Sequence, residues 1–342
     1  MRIDRFITLN LVSPCYGTFG HSSAASALRL PVLMYHSISA DSETGMHPYY
    51  RVCTSPARFR EQMLWLKENG YYGTTLTNGL QWLRSRAEIQ PPKRDRQSSA
   101  VAFADEFSSA CPVALTFDDG FDDFYTHAWP VLSELGFKAT LYLPTAFIGD
   151  TYRPFCPAGS RYAVQNSKPI THRKCLTWSE VKELHQGGIE VGSHTATHPK
   201  LVELSWPHIE AELYSSKSEI ENHLSISCTT FAYPYAFPQT EAGFVRRFCE
   251  LLRAVGYETG VTTQIGRHQS GADTFQIKRL PVNQDDDLLL FAAKLDGAYD
   301  WLGKVQSLSK SFRRCKRPAR WEALSARRAS SSFLPEKDTE SA

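Results

Sequence analysis

Residues 112–120 read PVALTFDDG, and the chain is best understood outward from this stretch. Its first six residues make a short strand-like apolar run. The run ends on two adjacent carboxylates, Asp118 and Asp119, and on Gly120. If the strand is buried, two neighbouring carboxylates at its end repel each other, and a divalent cation offsets that repulsion. An Asp-Gly turn with a helix cap fits the same letters.

On either side the chain alternates apolar runs with helical spacing. Strands are expected at 30–35, 138–143, 189–193, 229–233, 257–262 and 275–282, and helices at 56–69, 129–135, 179–185, 207–223 and 241–255. This rhythm predicts a parallel α/β sheet with crossover helices, either a barrel or a doubly wound sheet. Two stretches interrupt it. Residues 84–110, with Pro91-Pro92 and the cluster Lys93-Arg94-Asp95-Arg96, read as a surface insertion. Residues 150–172, with Pro154, Pro157, Gly159 and Pro169, read as a long loop.

The whole chain has 342 residues, 42% hydrophobic and 22% charged, which excludes wholesale disorder, collagen-like sequence and a disulfide miniprotein. No run approaches the roughly 18 apolar residues of a membrane span. The charge is uneven. Residues 303–342 hold ten Lys/Arg and four Asp/Glu, a net of +6, whereas residues 1–302 carry a net of −4. The expected layout is an N-terminal extension over 1–28, a catalytic domain over 29–302 and a basic, disordered tail over 303–342. The tail offers weak contact with a membrane surface, and no nucleic-acid partner is expected. None of the eight cysteines forms a C-x-x-C pair, and all are expected reduced and individually buried. The N-terminus has a basic start and Ala25-Ser26-Ala27 as a leader-like site, but Thr8 and Asn10 interrupt its apolar stretch. A cytoplasmic location is the expectation, and a periplasmic or extracytoplasmic one follows if the leader is real.

Further polar clusters fall at strand ends, where ligand sites gather in α/β folds. His194 and His198, in HTATH, have the i, i+4 spacing that puts two imidazoles on one side of a helical turn. With one carboxylate they leave an open position on a zinc-like ion, a catalytic rather than a structural pattern. Residues 231–235 read FAYPY, and His36 follows the run LPVLMY. Taken singly, these also fit a surface histidine pair, an aromatic turn packed on the core and a core histidine.

Together the motifs resemble the polysaccharide deacetylases, carbohydrate esterase family 4 with the NodB homology domain. TFDDG is similar to that family's first motif and HTATH to its second, and the resemblance covers roughly residues 30–290. It implies a distorted (β/α) barrel of about seven strands. It implies Asp118 as general base, and Asp119, His194 and His198 as ligands of one divalent ion, most simply Zn²⁺, with Co²⁺, Ni²⁺ or Mn²⁺ as substitutes. The family's third motif begins with an arginine that orients the base; here Ala232 stands in that place, while Pro234 and Tyr235 match. The family's late Leu-x-His, source of the general acid, is absent near the C-terminus. LMYHSI at the start is similar instead to the permuted, exopolysaccharide-deacetylase branch, in which FAYPY is the usual third motif. That branch implies His36 as the acid, and the backbone N–H of Tyr235 completes the set as an oxyanion donor. The implied activity is metal-dependent removal of N-acetyl groups from amino sugars of a glycan. Hydrolysis of O-acetyl esters or small cyclic amides is the near alternative, and a non-catalytic glycan-binding module the distant one.

Overall fold

The structure is a computed structural model that describes residues 2–14, 28–89 apart from 42 and 44, 110–157 and 173–315. Strands β1 (Arg29–Leu30), β2 (Val32–Tyr35), β3 (Tyr71–Thr74), β4 (Cys111–Phe117), β5 (Thr140–Leu143), β6 (Glu190–Ser193), β7 (Thr230–Ala232), β8 (Thr259–Ile265), β9 (His268–Gln269) and β10 (Ile277–Pro281) follow in chain order. Seven of them close a parallel barrel in the order β2-β10-β8-β7-β6-β5-β4, with β4 returning to pair β2. β3 pairs the first half of β4, and β1 with β9 forms a separate antiparallel pair.

Strand alternation divides the core. Leu33, Tyr35, Leu115, Phe117, Leu141 and Phe231 point outward and are buried under the ring of helices. Val32, Ala114, Tyr142, Ala232, Val261 and Ile277 make a smaller cluster, against which helix Leu76–Ile89 packs Leu76, Leu80 and Leu83. Burying each such side chain is worth about 1.5–3 kcal/mol. The fill leaves the inner positions nearest the strand C-termini to Thr116, Asp118 and Arg279, all buried.

The expected strands and helices are present, with ends shifted by a few residues. Pro31 splits the expected strand 30–35 into β1 and β2, and Thr177 caps helix Trp178–Gln186 through a reciprocal bond with Glu180. The structure adds detail at three of the expected limits. Residues 84–89, assigned to the insertion, continue helix Leu76–Ile89, and residues 90–109 lie outside the described residues. The N-terminal extension begins as helical turns over residues 3–14 that dock on the body: Arg2 bonds buried Asp286, and Asp4 accepts from Tyr299. The tail expected from 303 begins as helix Trp301–Cys315. It is held because Gln306 bonds Thr263 and Ile265, and Lys310 bonds Phe237 and Gln239. Residues 316–342, like 15–27 and 158–172, lie outside the described residues. Cys53, Cys175, Cys228 and Cys249 are free and buried as expected, but Cys111 and Cys156 are free and exposed.

Candidate metal centre and active site

Each polar cluster sits where a barrel strand ends. β4 runs directly into Asp118, β6 into His194, β7 into Tyr233 and β2 into His36. Parallel strands put all these ends on one rim, so residues far apart in sequence meet there.

Asp119, His194 and His198 are buried, and one ligand atom from each lies within 4.8 Å of the others. Asp119 Oδ1 is 3.6 Å from His194 Nε2 and 3.3 Å from His198 Nε2. His194 Nδ1 lies 2.8 Å from the Ala232 carbonyl, so it donates there and leaves the Nε2 lone pair aimed at Asp119. Buried Asp119 Oδ1 makes no hydrogen bond. A buried oxygen without a donor, facing two imidazole lone pairs, is the donor set of a divalent cation with open coordination positions, and the residues fit one.

The protonation states of Asp119 and His198 agree with this, whereas that of His194 shifts the other way. Burial alone would raise the Asp119 carboxyl, yet the imidazoles of His194, His198 and His36 hold it well below the ordinary carboxylate range. Burial drives His198 down to about 4, so the ring is neutral at pH 7 and free to ligate. Burial also opposes charge on His194, but the two carboxylates outweigh it and raise its pKa.

The second histidine motif departs from expectation. Residues 194–199 form a bent loop, not a helical turn, and Thr195 and His198 have φ of 68° and 54°. Backbone in the left-handed region costs about 1–3 kcal/mol per residue and persists only where neighbours hold it. Here Glu212 accepts from the amides of Ala196 and Thr197 and from the Thr197 hydroxyl, and the His198 amide donates to Thr195 Oγ1. Asp119 and Tyr235 share this strain, with φ of 74° and 57°.

Asp118 stands beside the ligand set without joining it. Its carboxylate receives a two-pronged bond from Arg279 of β10, at 2.7 Å and 2.8 Å. Both side chains are almost wholly buried, Arg279 at 0% and Asp118 at 2% exposure. Burial would raise Asp118, but Arg279 and then His194 hold it below the ordinary range, so it is ionised at neutral pH. Arg279 therefore holds Asp118 in one orientation, the part that the resemblance gives to an arginine where Ala232 stands here. Sequence reading missed it, although a signal existed. In FQIKRLPV, Arg279 falls two residues after Ile277, on the inner side of a buried strand where a cation demands a carboxylate.

His36 faces Asp118, with Nε2 3.9 Å from Oδ2, and its side chain is 20% exposed. Its strand end is fixed by Asp123, also missed by sequence reading, which accepts from the Ser37 hydroxyl and the Ile38 amide. Tyr235 places its ring 4.6 Å from that of His198, and its carbonyl accepts from Thr263. The structure thus brings together all six residues singled out from sequence: His36, Asp118, Asp119, His194, His198 and Tyr235. Nearby, the Ser37 hydroxyl bonds Ser39, which lines a cavity of about 320 Å³ with Asp41, Glu43, Arg51 and Gln284.

Comparison with known proteins agrees with this geometry. Residues 108–260 match the sequence profile of the family described as polysaccharide deacetylase. The chain is 29% identical over 255 residues to YxkH of Bacillus subtilis, whose name assigns it to the same family; the match covers 75% of this chain and 72% of that protein. It is 27% identical over 165 residues to a poly-beta-1,6-N-acetyl-D-glucosamine N-deacetylase of Escherichia coli, covering 48% of this chain and 20% of that protein. Among solved structures, the deacetylase PplD of Streptococcus pyogenes in complex with acetate superposes with a TM-score of 0.57 at 23% identity, over 79% of this chain and 99% of that one. That likeness establishes the fold.

Proposed function

We propose that the chain, whose residues 108–260 match the polysaccharide deacetylase family, is a hydrolase that removes N-acetyl groups from amino sugars of a glycan, using one divalent ion, most simply zinc. The observation that carries this reading is Asp118, ionised and clamped by Arg279, beside the buried Asp119, His194 and His198 cluster.

Asp119, His194 and His198 would hold the ion, which supplies Lewis acidity toward a water and the acyl carbonyl. Asp118 takes the proton of the attacking water, and the two-pronged bond from Arg279 presents it in one orientation. The backbone N–H of Tyr235 donates to the carbonyl oxygen as charge builds there. His36, facing Asp118, gives a proton to the departing amine. Asp123 positions it by fixing the two residues that follow.

The similarity to a poly-beta-1,6-N-acetyl-D-glucosamine N-deacetylase makes oligomers of that sugar the first substrates to try. Acetate release is measured on N-acetylated and O-acetylated saccharides with metal-stripped and reconstituted protein. Release from the N-acetyl oligomer that returns with about one zinc per chain is expected. Release from O-acetyl saccharides alone makes the protein an esterase. Oligomer binding without acetate release by the reconstituted protein makes it a binding module, and the lack of a stoichiometric ion removes the metal from the mechanism.

A further inference from the structure

We infer that the face built by residues 3–11, helix Leu288–Asp296 and helix Trp301–Cys315 docks on an anionic lipid surface. Ten large hydrophobic side chains are exposed among the described residues, and six come from these segments: Ile3, Phe6, Leu11, Leu289, Val305 and Leu308. Residues 3–11 hold to helix Trp301–Cys315 and to the residues flanking helix Leu288–Asp296. Trp301 Nε1 donates to Thr8 Oγ1, Tyr299 to Asp4 and Arg5 to Asp287. Exposed apolar residues scattered singly are ordinary, whereas a contiguous group on packed elements marks an interaction surface.

Helix Trp301–Cys315 is amphipathic in two directions. Leu302, Gln306 and Lys310, spaced by four, face the body: Leu302 packs on the core, while Gln306 and Lys310 bond Thr263, Phe237 and Gln239. Val305 and Leu308 lie on the other side and are 45% and 59% exposed. The body therefore satisfies one face and leaves the apolar one outward.

Charge selects the partner. From Trp301 to Arg317 the sequence holds five Lys/Arg besides the body-bound Lys310 and no Asp/Glu, while residues 1–302 carry a net of −4. A second copy would bring another basic helix against this one, whereas a bilayer with anionic headgroups accepts the apolar side chains and attracts the cations together. No helix among the described residues is long and apolar enough to cross a membrane, so the protein would lie on the surface rather than span it. The face shares no residue with the site at the barrel rim, so this inference stands apart from the proposed activity.

The test uses the full chain with vesicles of pure phosphatidylcholine and of phosphatidylcholine containing phosphatidylglycerol, separated by sedimentation at low and high salt. Binding to the anionic vesicles that weakens with salt is expected. Val305→Asp with Leu308→Asp should lower the partition coefficient at least tenfold, and Lys304→Glu several-fold. Both are exposed positions, so circular dichroism and acetate release on a soluble substrate should stay unchanged. Equal binding to both vesicles, no sedimentation with either, or undiminished binding by the double variant overturns the inference. A wild-type dimer in analytical ultracentrifugation that Leu308→Asp dissociates assigns the face to a second copy instead.

Discussion

Arg279→Met probes the clamp on the base most directly. Arg279 is wholly buried, and its guanidinium donates to the Thr262 carbonyl at 3.0 Å, to Thr116 Oγ1 at 3.2 Å and to both oxygens of Asp118. Methionine keeps much of the stem and removes the fork, so Asp118 retains its burial and loses its counter-charge. Breaking one partner of a buried pair costs about 3–5 kcal/mol.

The pH dependence follows from the sign of the shift. In the native protein Asp118 is held below its ordinary value, burial being outweighed by Arg279 and the histidines. A depressed carboxyl contributes stability that is present above the unfolded value near about 4 and fades as pH falls through the folded pKa. Without Arg279, burial dominates and the folded pKa moves above the unfolded one, which reverses the contribution. The variant then suffers its full penalty at pH 8 and a smaller one at pH 5, where protonation relieves the stranded charge at about 1.4 kcal/mol per pKa unit. Urea unfolding of metal-stripped wild type and variant at both pH values reads the difference as a midpoint shift at constant slope. The acidic limb of kcat/KM should move to higher pH, and turnover at pH 8 should fall about a hundredfold or more as Asp118, still ionised there, loses its fixed orientation. Arg279→Lys, which restores a point charge without the fork, should recover stability better than rate. A destabilisation below about 1 kcal/mol that is independent of pH, with normal turnover, refutes this account of the clamp.

Asp118→Asn should retain the ion by metal analysis and lose about 10²–10⁴-fold in turnover, because the proposed base stands beside the proposed ligands; near-normal turnover moves that role elsewhere. His36→Ala should slow amide cleavage while leaving the metal content unchanged, and hydrolysis of an activated acetyl ester, whose leaving group needs little protonation, should suffer least; equal losses on both substrates would make His36 a structural residue. Ending the chain after Cys315 should leave the melting temperature and acetate release unchanged. Ending it after Asp300 removes Leu302, Gln306 and Lys310 from their partners and should lower the melting temperature by several degrees; an unchanged melt would mean that this helix adds nothing to the body.

The strand ends that carry the chemistry were legible because each combines a local apolar run with a polar residue at its close, and both signals span fewer than ten residues. What stayed hidden depends on partners far along the chain. β3 is four residues with Gly73 inside it, a poor strand by propensity. Glycine is needed there because a Cβ would approach Leu115 to 2.6 Å and Phe137 to 2.9 Å. Helix Leu76–Ile89 contains Asn78 and Gly79, weak helix formers, and Gly79 brings the helix within 3.0 Å of Leu30 for an added Cβ. The bent HTATH loop misled the spacing argument because i, i+4 histidines also converge when Thr195 and His198 adopt left-handed backbone, and Glu212, which holds that loop, sits on another element. Arg279 lies 161 residues from Asp118 and belongs to no local motif. It still answers to a rule. Closing a barrel brings inner positions of distant strands together, and a cation at such a position cannot remain unpaired in a dry interior. With Asp118 at the end of β4 already suspected, an arginine two residues from Ile277 on the inner side of β10 marks the partner across the barrel. The arginine that holds Asp118 thus stands on β10, separated from β7 by β8 and from β4 by β2, and its two-pronged bond keeps the buried charges balanced.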